Sequence, residues 1–146
     1  MTEPVYLLDV NVLVAMVWPQ HAFHARTNEW FETLSRPRWA TCCFTEAAFV
    51  RLLSNSSFAS PTLTTLSASD LLVANLQRAG HQFWPVDISF AEAIAPFSSK
   101  IAGYRQVTDA YLLGLAIHRR GKLATMDRAI STLLPRDEAH SYITQI

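Results

Sequence analysis

The segment Val5-Tyr6-Leu7-Leu8-Asp9-Val10-Asn11-Val12-Leu13 places an acidic residue directly after an uncharged apolar run. A run of this kind is typical of a strand that is buried on both faces of a parallel sheet. Residues 10–18 have the pattern of a helix, which Pro19 ends. Asp9 is therefore expected between the first strand and the first helix, at the carboxyl end of the strand.

The rest of the chain alternates short apolar runs with amphipathic stretches, which is the pattern of an α/β domain. We expect further strands at residues 39–42, 83–86, 123–125 and 142–144. We expect further helices at residues 22–35, 45–53, 67–80, 89–96, 109–120 and 127–133, with Ser67, Ser89 and Thr108 as N-caps. The polar segment 55–69 is predicted to be largely loop, and Asp137 and Glu138 fall in a predicted polar turn. Pro85 favours a place near the sheet edge for the third strand.

The composition indicates one globular domain, which we expect to span residues 1–146. Half of the 146 residues are hydrophobic and 16% are charged, so the chain can bury a core. Twelve Lys and Arg balance twelve Asp and Glu, which excludes nucleic-acid binding by bulk positive charge. We recognise no signal peptide and no membrane-spanning segment, so a cytoplasmic protein is expected. The adjacent Cys42 and Cys43 suggest two small buried side chains rather than a disulfide or zinc site.

Four acidic residues from distant parts of the chain are predicted to meet at one edge of the sheet. Asp9 follows the first strand, Glu46 lies in the first turn of the helix after the second, and Asp127 follows the fourth. Asp109 opens the helix that leads into the fourth strand. The carboxyl ends of parallel strands and the amino ends of the following helices share an edge, where ligands bind.

Carboxylates that crowd together repel one another unless a cation neutralises them. A site with oxygen ligands and without Cys or His suits Mg²⁺ or Mn²⁺, and such a site supports hydrolysis of a phosphodiester by an activated water. Each acid also has a purely structural interpretation, because Asp and Glu stabilise helix N-termini. The agreement of four positions favours the metal site.

These acidic motifs resemble those of the PIN-domain ribonucleases, and more narrowly of the VapC toxins of type II toxin–antitoxin systems. The matching stretches are Leu7-Leu8-Asp9-Val10-Asn11-Val12-Leu13, Thr45-Glu46, Thr108-Asp109-Ala110-Tyr111-Leu112-Leu113 and Ala124-Thr125-Met126-Asp127. The resemblance runs from Tyr6 to about Leu133. It implies a three-layer α/β/α fold with a central, mainly parallel sheet.

The resemblance also implies a function and its residues. Asp9, Glu46, Asp109 and Asp127 match the catalytic, metal-binding acids of the family, while Asn11 and Thr125 match supporting polar positions. The implied activity is Mg²⁺- or Mn²⁺-dependent endoribonuclease cleavage of a structured RNA, such as a tRNA or rRNA loop. The implied partners are that RNA, a cognate VapB-like antitoxin and a second copy of the chain in a homodimer.

Three basic residues are candidates for contact with RNA phosphates. Lys100 and Arg105 lie in the segment before Asp109, and Arg51 lies five residues after Glu46, where it could instead pair with a carboxylate. Two other functions stay open at this point, a receiver-like signalling domain and a catalytically degenerate PIN-fold binding module. The receiver pattern is disfavoured because Asp9 is a lone acid and Lys122 precedes its strand.

Overall fold

The computed structural model describes residues 3–146, which form a five-stranded parallel sheet with helices on both faces. The strands are β1 (Tyr6–Leu8), β2 (Trp39–Thr41), β3 (His81–Phe83), β4 (Lys122–Thr125) and β5 (Ile143–Gln145). The helices are α1 (Val10–Val17), α2 (His24–Glu32), α3 (Cys43–Leu53), α4 (Thr65–Leu76), α5 (Phe90–Ile94), α6 (Val107–His118) and α7 (Arg136–Tyr142). Short 3₁₀ helices lie at Ala95–Lys100, Tyr104–Gln106 and Arg128–Leu133. The predicted α/β class with its parallel sheet is confirmed.

The order of the strands determines where a ligand site can form. The sheet runs β3-β2-β1-β4-β5, and every neighbouring pair is parallel. From the central β1 the chain moves outward to β2 and β3, and then returns to the other side of β1 for β4. Such a reversal opens a crevice at the carboxyl ends of the two strands that flank it. Here these strands are β1 and β4, and the backbone N–H of Asp9 donates to the carbonyl of Ala124 across them at 3.0 Å.

The sheet separates two hydrophobic cores, and successive residues of its central strands face one core and then the other. Tyr6, Leu8 and Trp39 face the layer formed by α1 to α4, whereas Leu7 and Ala40 face α5 to α7. This alternation follows from the two-residue period of a strand and explains why β1 reads as an uninterrupted apolar run. Burial on both faces fixes the register of β1, and with it the position of the residue that follows.

Helix α6 approaches α5 closely because residue 114 is glycine. A Cβ atom at Gly114 would lie 2.2 Å from the carbonyl oxygen of Ala93 in α5. Any larger residue would therefore push the two helices apart. The contact sets the position of α6, whose first turn carries Asp109.

The third strand begins two residues earlier than predicted and ends three residues earlier, at His81–Phe83 rather than 83–86. Its register is set by pairing with β2, which places His81 opposite Trp39 and Phe83 opposite Thr41. Trp84 belongs instead to the core beneath α5 to α7. The predicted edge position is confirmed, since β3 ends the sheet order.

Two of the three predicted N-caps are wrong. Helix α4 begins at Thr65 because the hydroxyl of Thr64, rather than Ser67, caps it by accepting from the backbone N–H of Ser67. Thr108 is not a cap, because the 3₁₀ turn Tyr104–Gln106 continues directly into α6. The predicted cap at Ser89 is confirmed, since its hydroxyl accepts from the N–H of Glu92 at 3.2 Å.

The predicted polar turn near the carboxyl end is wrong, since residues 136–142 form α7. This helix buries none of its residues fully, so it lacks the apolar stripe that reveals a helix in a sequence. Cys42 is buried as expected, whereas Cys43 is exposed. Within residues 3–146, no helix combines the length and the apolar character needed to cross a bilayer.

Candidate active site

Asp9 lies at the carboxyl end of the central strand and is almost fully buried, with 4% of its surface exposed. It is the N-cap of α1, and its Oδ1 accepts from the backbone N–H of Val10 at 2.7 Å. Its Oδ2 accepts from the hydroxyl of Thr125 at 3.0 Å. Burial raises the pKa of Asp9 above its ordinary value and the charge of Asp127 adds to this, whereas the two hydrogen bonds lower it.

Thr125 connects Asp9 to Asp127 at the end of β4. Its buried hydroxyl donates to Asp9 and accepts from the backbone N–H of Asp127 at 3.0 Å. The side chain of Asp127 is more exposed, and its Oδ1 accepts from the N–H of Ala129 at 2.9 Å, which caps the following 3₁₀ helix. Asp127 is therefore the N-cap of this 3₁₀ helix, as the structural interpretation of the acids allowed. Its charge also raises the pKa of Asp9.

Asp109 lies in the first turn of α6, where it is partly buried. Its pKa is raised from 3.8 to about 7 by burial, and further by the charges of Asp9 and Asp127. The charge of Asp127 also acts on Asp9, so three of the four predicted acids lie close enough to interact electrostatically. A carboxyl group with a pKa near 7 is shared between its neutral and ionised forms at physiological pH, which is typical of functional sites.

Glu46 lies at the end of the neighbouring strand β2, in the first turn of α3. A capping box between Cys42 and Thr45 fixes the start of this helix. The Oε2 atom of Glu46 accepts from the hydroxyl of Thr41 at 2.7 Å. Glu46 acts electrostatically on His81 rather than on Asp109, so it is the outlying member of the predicted quartet.

The donor set of this site suits a hard divalent cation. Asp9, Asp109 and Asp127 supply carboxylate oxygens, and the ion pairs within residues 3–146 all involve Asp87 rather than these acids. Their mutual repulsion is therefore not relieved by a cationic side chain, and an oxygen-seeking ion such as Mg²⁺ or Mn²⁺ would relieve it. In the conformation described for residues 3–146, no three His, Cys, Asp or Glu side chains already converge as a metal-binding group.

The other predicted site residues are exposed. Asn11 lies in the first turn of α1, two residues after Asp9. Arg105 lies in the 3₁₀ turn that leads into α6, and Lys100 ends the preceding 3₁₀ helix. Arg51 lies in the last turn of α3, and in the described part of the chain it forms no ion pair with a carboxylate.

Sequence reasoning missed Thr41, which hydrogen-bonds to Glu46, and His81, which lies within hydrogen-bond distance of Thr41. Thr41 is fully buried at the end of β2, and its Oγ1 lies 2.8 Å from Nε2 of His81 on β3. Thr41 had only a weak signal, as a polar residue near the end of the predicted strand 39–42, and the structure shows that it ends β2 as Thr125 ends β4. His81 had none, because its position depends on a strand register that the apolar pattern of residues 83–86 misplaced.

Comparison with known proteins identifies the family to which the sequence is similar. A sequence model of the PIN domain matches residues 6–133. Ribonuclease VapC38 of Mycobacterium tuberculosis is 44% identical over 127 residues, which cover 87% of this chain and 88% of that protein. Ribonuclease VapC39 of the same species is 41% identical over 125 residues, covering 86% and 90% of the two chains.

Solved structures share the fold at low sequence identity. A chain in the crystal structure of VapBC2 from Rickettsia felis, bound to a DNA fragment from their promoter, matches with a TM-score of 0.65 and 13% identity. That match covers 97% of this chain and 98% of the other. FitAcB from Neisseria gonorrhoeae matches with a TM-score of 0.60 and 19% identity, over 94% and 95% of the two chains. The chain therefore belongs to the PIN domain family and, within it, to the VapC ribonucleases.

Proposed function

We propose that this protein is a Mg²⁺- or Mn²⁺-dependent endoribonuclease and the toxin of a toxin–antitoxin pair. The observation that carries this proposal is the group of three uncompensated acids at the β1–β4 crevice, in which the pKa of Asp109 reaches about 7. Family membership supports ribonuclease chemistry, and the acids supply the ligands that such chemistry needs. Asp9, Asp109, Asp127 and Glu46 would hold the ion, which when bound supplies an activated water and shields phosphate charge.

The protein's own residues prepare the site before any ligand arrives. Two hydrogen bonds, from Val10 and Thr125, hold the Asp9 carboxylate in one orientation. Because Thr125 also accepts from the Asp127 backbone, it fixes the start of the segment that carries the third acid. Glu46 uses Oε2 to accept from Thr41, so we assign its Oε1 to the ligand or to a proton from the attacking water. Asn11, at the exposed first turn of α1, is assigned a supporting polar contact.

The substrate that we propose is RNA in an exposed loop, such as that of a tRNA or rRNA. The net charge of zero leaves binding to local contacts, and the exposed Arg105, Lys100 and Arg51 are our candidates for them. Arg105 is four residues before Asp109, so a phosphate held there would lie near the acids. We place the protein in the cytoplasm, where it would meet such RNA, as a single PIN-like domain.

The decisive experiment compares RNA 5′ ends after a brief pulse of expression of the parent protein and of Asp9→Asn. Asparagine can still accept from Val10 through its carbonyl and donate to Thr125, so the fold should survive. Asp137→Asn, an exposed change in α7, is the matched control. New RNA ends are expected for the parent and the control but not for Asp9→Asn. Cleavage by none of the three proteins would support a degenerate binding module instead, and equal cleavage by all three would refute the assignment of Asp9 to the cleavage site.

We also propose that the protein forms a homodimer through an apolar patch beside the acids. The patch surrounds a cavity of about 320 Å³ lined by Phe44, Val86, Ile88, Phe90, Val107, Thr108 and Tyr111. Phe44 and Phe90 are 46% and 45% exposed, an unusual exposure for aromatic side chains that cluster in one place. Contiguous exposed apolar surface typically marks a protein–protein interface.

Light scattering during gel filtration tests this interface. Phe90→Asp is expected to convert a dimer into a monomer, because it buries a charge in the proposed contact. Leu66→Asp changes a residue of α4 that is 70% exposed and lies outside the patch, so it should leave the dimer intact. A Phe90→Asp protein that remains dimeric would place the interface elsewhere.

We propose a VapB-like antitoxin as the second protein partner, supported by the fold shared with a chain of the VapBC2 structure.

A further inference from the structure

The carboxylate of Glu46 lies at the end of a directed chain of hydrogen bonds. The hydroxyl of Thr41 donates to Oε2 of Glu46 at 2.7 Å, and Nε2 of His81 lies 2.8 Å from the same hydroxyl oxygen. A hydroxyl has one proton, and an ionised carboxylate can only accept. The proton of Thr41 therefore goes to Glu46, and Nε2 of His81 must donate to Thr41. This direction holds for the imidazolium and for the neutral tautomer with a proton on Nε2.

The same arrangement occurs on the other side of the central strand. Thr125 ends β4, donates its hydroxyl proton to Asp9 and accepts from the backbone N–H of Asp127. Thr41 ends β2 and donates to Glu46, but its own donor is a histidine side chain. Each buried threonine thus aims its single proton at an acid because a second donor occupies its acceptor side. A backbone amide performs this task at β4, and His81 performs it at β2.

The surroundings of His81 hold its ring in place. His81 pairs in register with Trp39, and their ring centroids are 4.7 Å apart. The indole N–H of Trp39 donates to the carbonyl of Ala79 at 3.1 Å, which ties down the turn before the strand. Gly80 in this turn has φ of +88°, and a Cβ there would lie 1.9 Å from the carbonyl oxygen of Pro37. The backbone therefore delivers His81 to one position, with Nε2 directed at Thr41.

We propose that His81 is a positioning residue, which acts through Thr41 to fix the Glu46 carboxylate for metal binding and RNA cleavage. The inference rests on the proposed function, because it assigns Glu46 to that site. Without the imidazole donor, the hydroxyl of Thr41 can rotate and leave Glu46 free to adopt other rotamers. A carboxylate that must be reoriented on each binding event binds an ion less tightly and supports fewer productive encounters.

Two matched pairs of variants separate the hydrogen bond from packing. His81→Phe keeps an aromatic ring beside Trp39 and removes the donor, whereas His81→Gln supplies an amide donor near the position of Nε2. Thr41→Val keeps the shape and removes the hydroxyl, whereas Thr41→Ser restores it. The measurements are the affinity of the metal-free full chain for Mn²⁺ by calorimetry, the apparent kcat and KM on a random-sequence single-stranded RNA pool, and the melting temperature.

His81→Phe and Thr41→Val are expected to weaken Mn²⁺ binding and lower kcat by about tenfold, the usual effect of removing a partner of a metal ligand. KM should change by less than about twofold, because neither residue is assigned to RNA binding, and the Gln and Ser variants should recover most of the loss. The double variant should lose no more than either single one, since both act through one chain. Full Mn²⁺ affinity and kcat in His81→Phe, or losses that the conservative variants share equally, would overturn the proposal.

The outcome also separates this inference from the proposed function. If the parent protein cleaves RNA and Asp9→Asn does not, a normal His81→Phe enzyme refutes the inference alone. If the parent cleaves no RNA, the calorimetry still decides the role of His81, since reduced Mn²⁺ affinity in His81→Phe supports it. If the parent binds no Mn²⁺, both proposals fail.

Discussion

The raised pKa of Asp109 predicts that the metal-free protein gains stability when this acid is neutralised. In the unfolded chain the carboxyl ionises near its ordinary pKa of 3.8, whereas in the folded protein it ionises near 7. Between these pH values the unfolded chain loses its proton first, so the folded state loses stability as the pH rises from about 4 to 7. Above pH 7 the penalty is complete. Asp109→Asn removes this penalty, and we expect it to stabilise the protein at pH 8 and not at pH 4.

The size of the effect follows from the shift. One pKa unit corresponds to about 1.4 kcal/mol, so the full difference sets a ceiling of about 4 kcal/mol. Asp109 is only partly buried, so solvent screening reduces this ceiling considerably. The carboxylate also lies in the first turn of α6, where its charge interacts favourably with the helix dipole by about 0.3–1 kcal/mol. We therefore expect a net gain of about 1–2 kcal/mol at pH 8.

Thermal unfolding in the presence of a chelator measures this gain. For a domain of this length, about 1–2 kcal/mol corresponds to a rise in Tm of about 3–6 °C. Asp137→Asn removes an exposed carboxylate in the first turn of α7 and is the control, since it shares the helix-dipole term but not the crowding. Excess Mg²⁺ should stabilise the parent protein and not Asp109→Asn. The reasoning is refuted if Asp109→Asn melts at or below the parent Tm at pH 8, or if the gain persists at pH 4.

Two further changes test how the fold supports the site. Thr125→Val should lower the free energy of unfolding in urea by about 1–3 kcal/mol, because the N–H of Asp127 and the carboxylate of Asp9 both lose a buried partner. Thr125→Ser keeps the hydroxyl and should recover most of the lost stability. Gly114→Ala should lower the free energy of unfolding by about 1–3 kcal/mol, because its Cβ would overlap a carbonyl oxygen of α5. Gly103→Ala, where a Cβ meets nothing within 4 Å, should change stability little, and equal losses in the two glycine variants would contradict the packing argument.

The parts of the fold that the sequence predicts are those in which burial and connectivity agree. The apolar run before Asp9 predicts a strand buried on both faces, and Leu7 and Leu8 are indeed fully buried on opposite faces of β1. Placing acids after β1 and β4 then needs only the rule that parallel strands share a carboxyl edge. The proximity of Asp9 and Asp127 follows from this topology, whereas the position of Asp109 also depends on the close packing of α6 against α5 at Gly114.

The parts that the sequence does not predict depend on partners distant in the chain. The apolar pattern favours residues 83–86 as a strand, but pairing with Trp39 and Thr41 selects His81–Phe83. Helix α7 escapes detection because none of its residues is fully buried, and Ala139 and Tyr142 are only partly buried against the core. Hydrogen bonds such as His81 to Thr41 need a register correct to one residue, since a shift by one would turn the imidazole to the other face of the sheet.

Burial at this edge of the sheet disfavours the ionised form of an acid, whereas the proposed function needs ionised acids. Thr125 reduces this conflict for Asp9. Burying Asp9 raises its pKa, and the charge of Asp127 adds to that, so an unsupported Asp9 would tend to protonate. The bond from Thr125 opposes this tendency by stabilising the ionised form, and it does so reliably because a backbone amide occupies its acceptor side. The pKa of Asp109 is raised to about 7 by burial and by the charges of Asp9 and Asp127, with no opposing hydrogen bond among the causes. A cation held between these acids would favour the ionised forms of both Asp9 and Asp109, as the hydroxyl of Thr125 already does for Asp9.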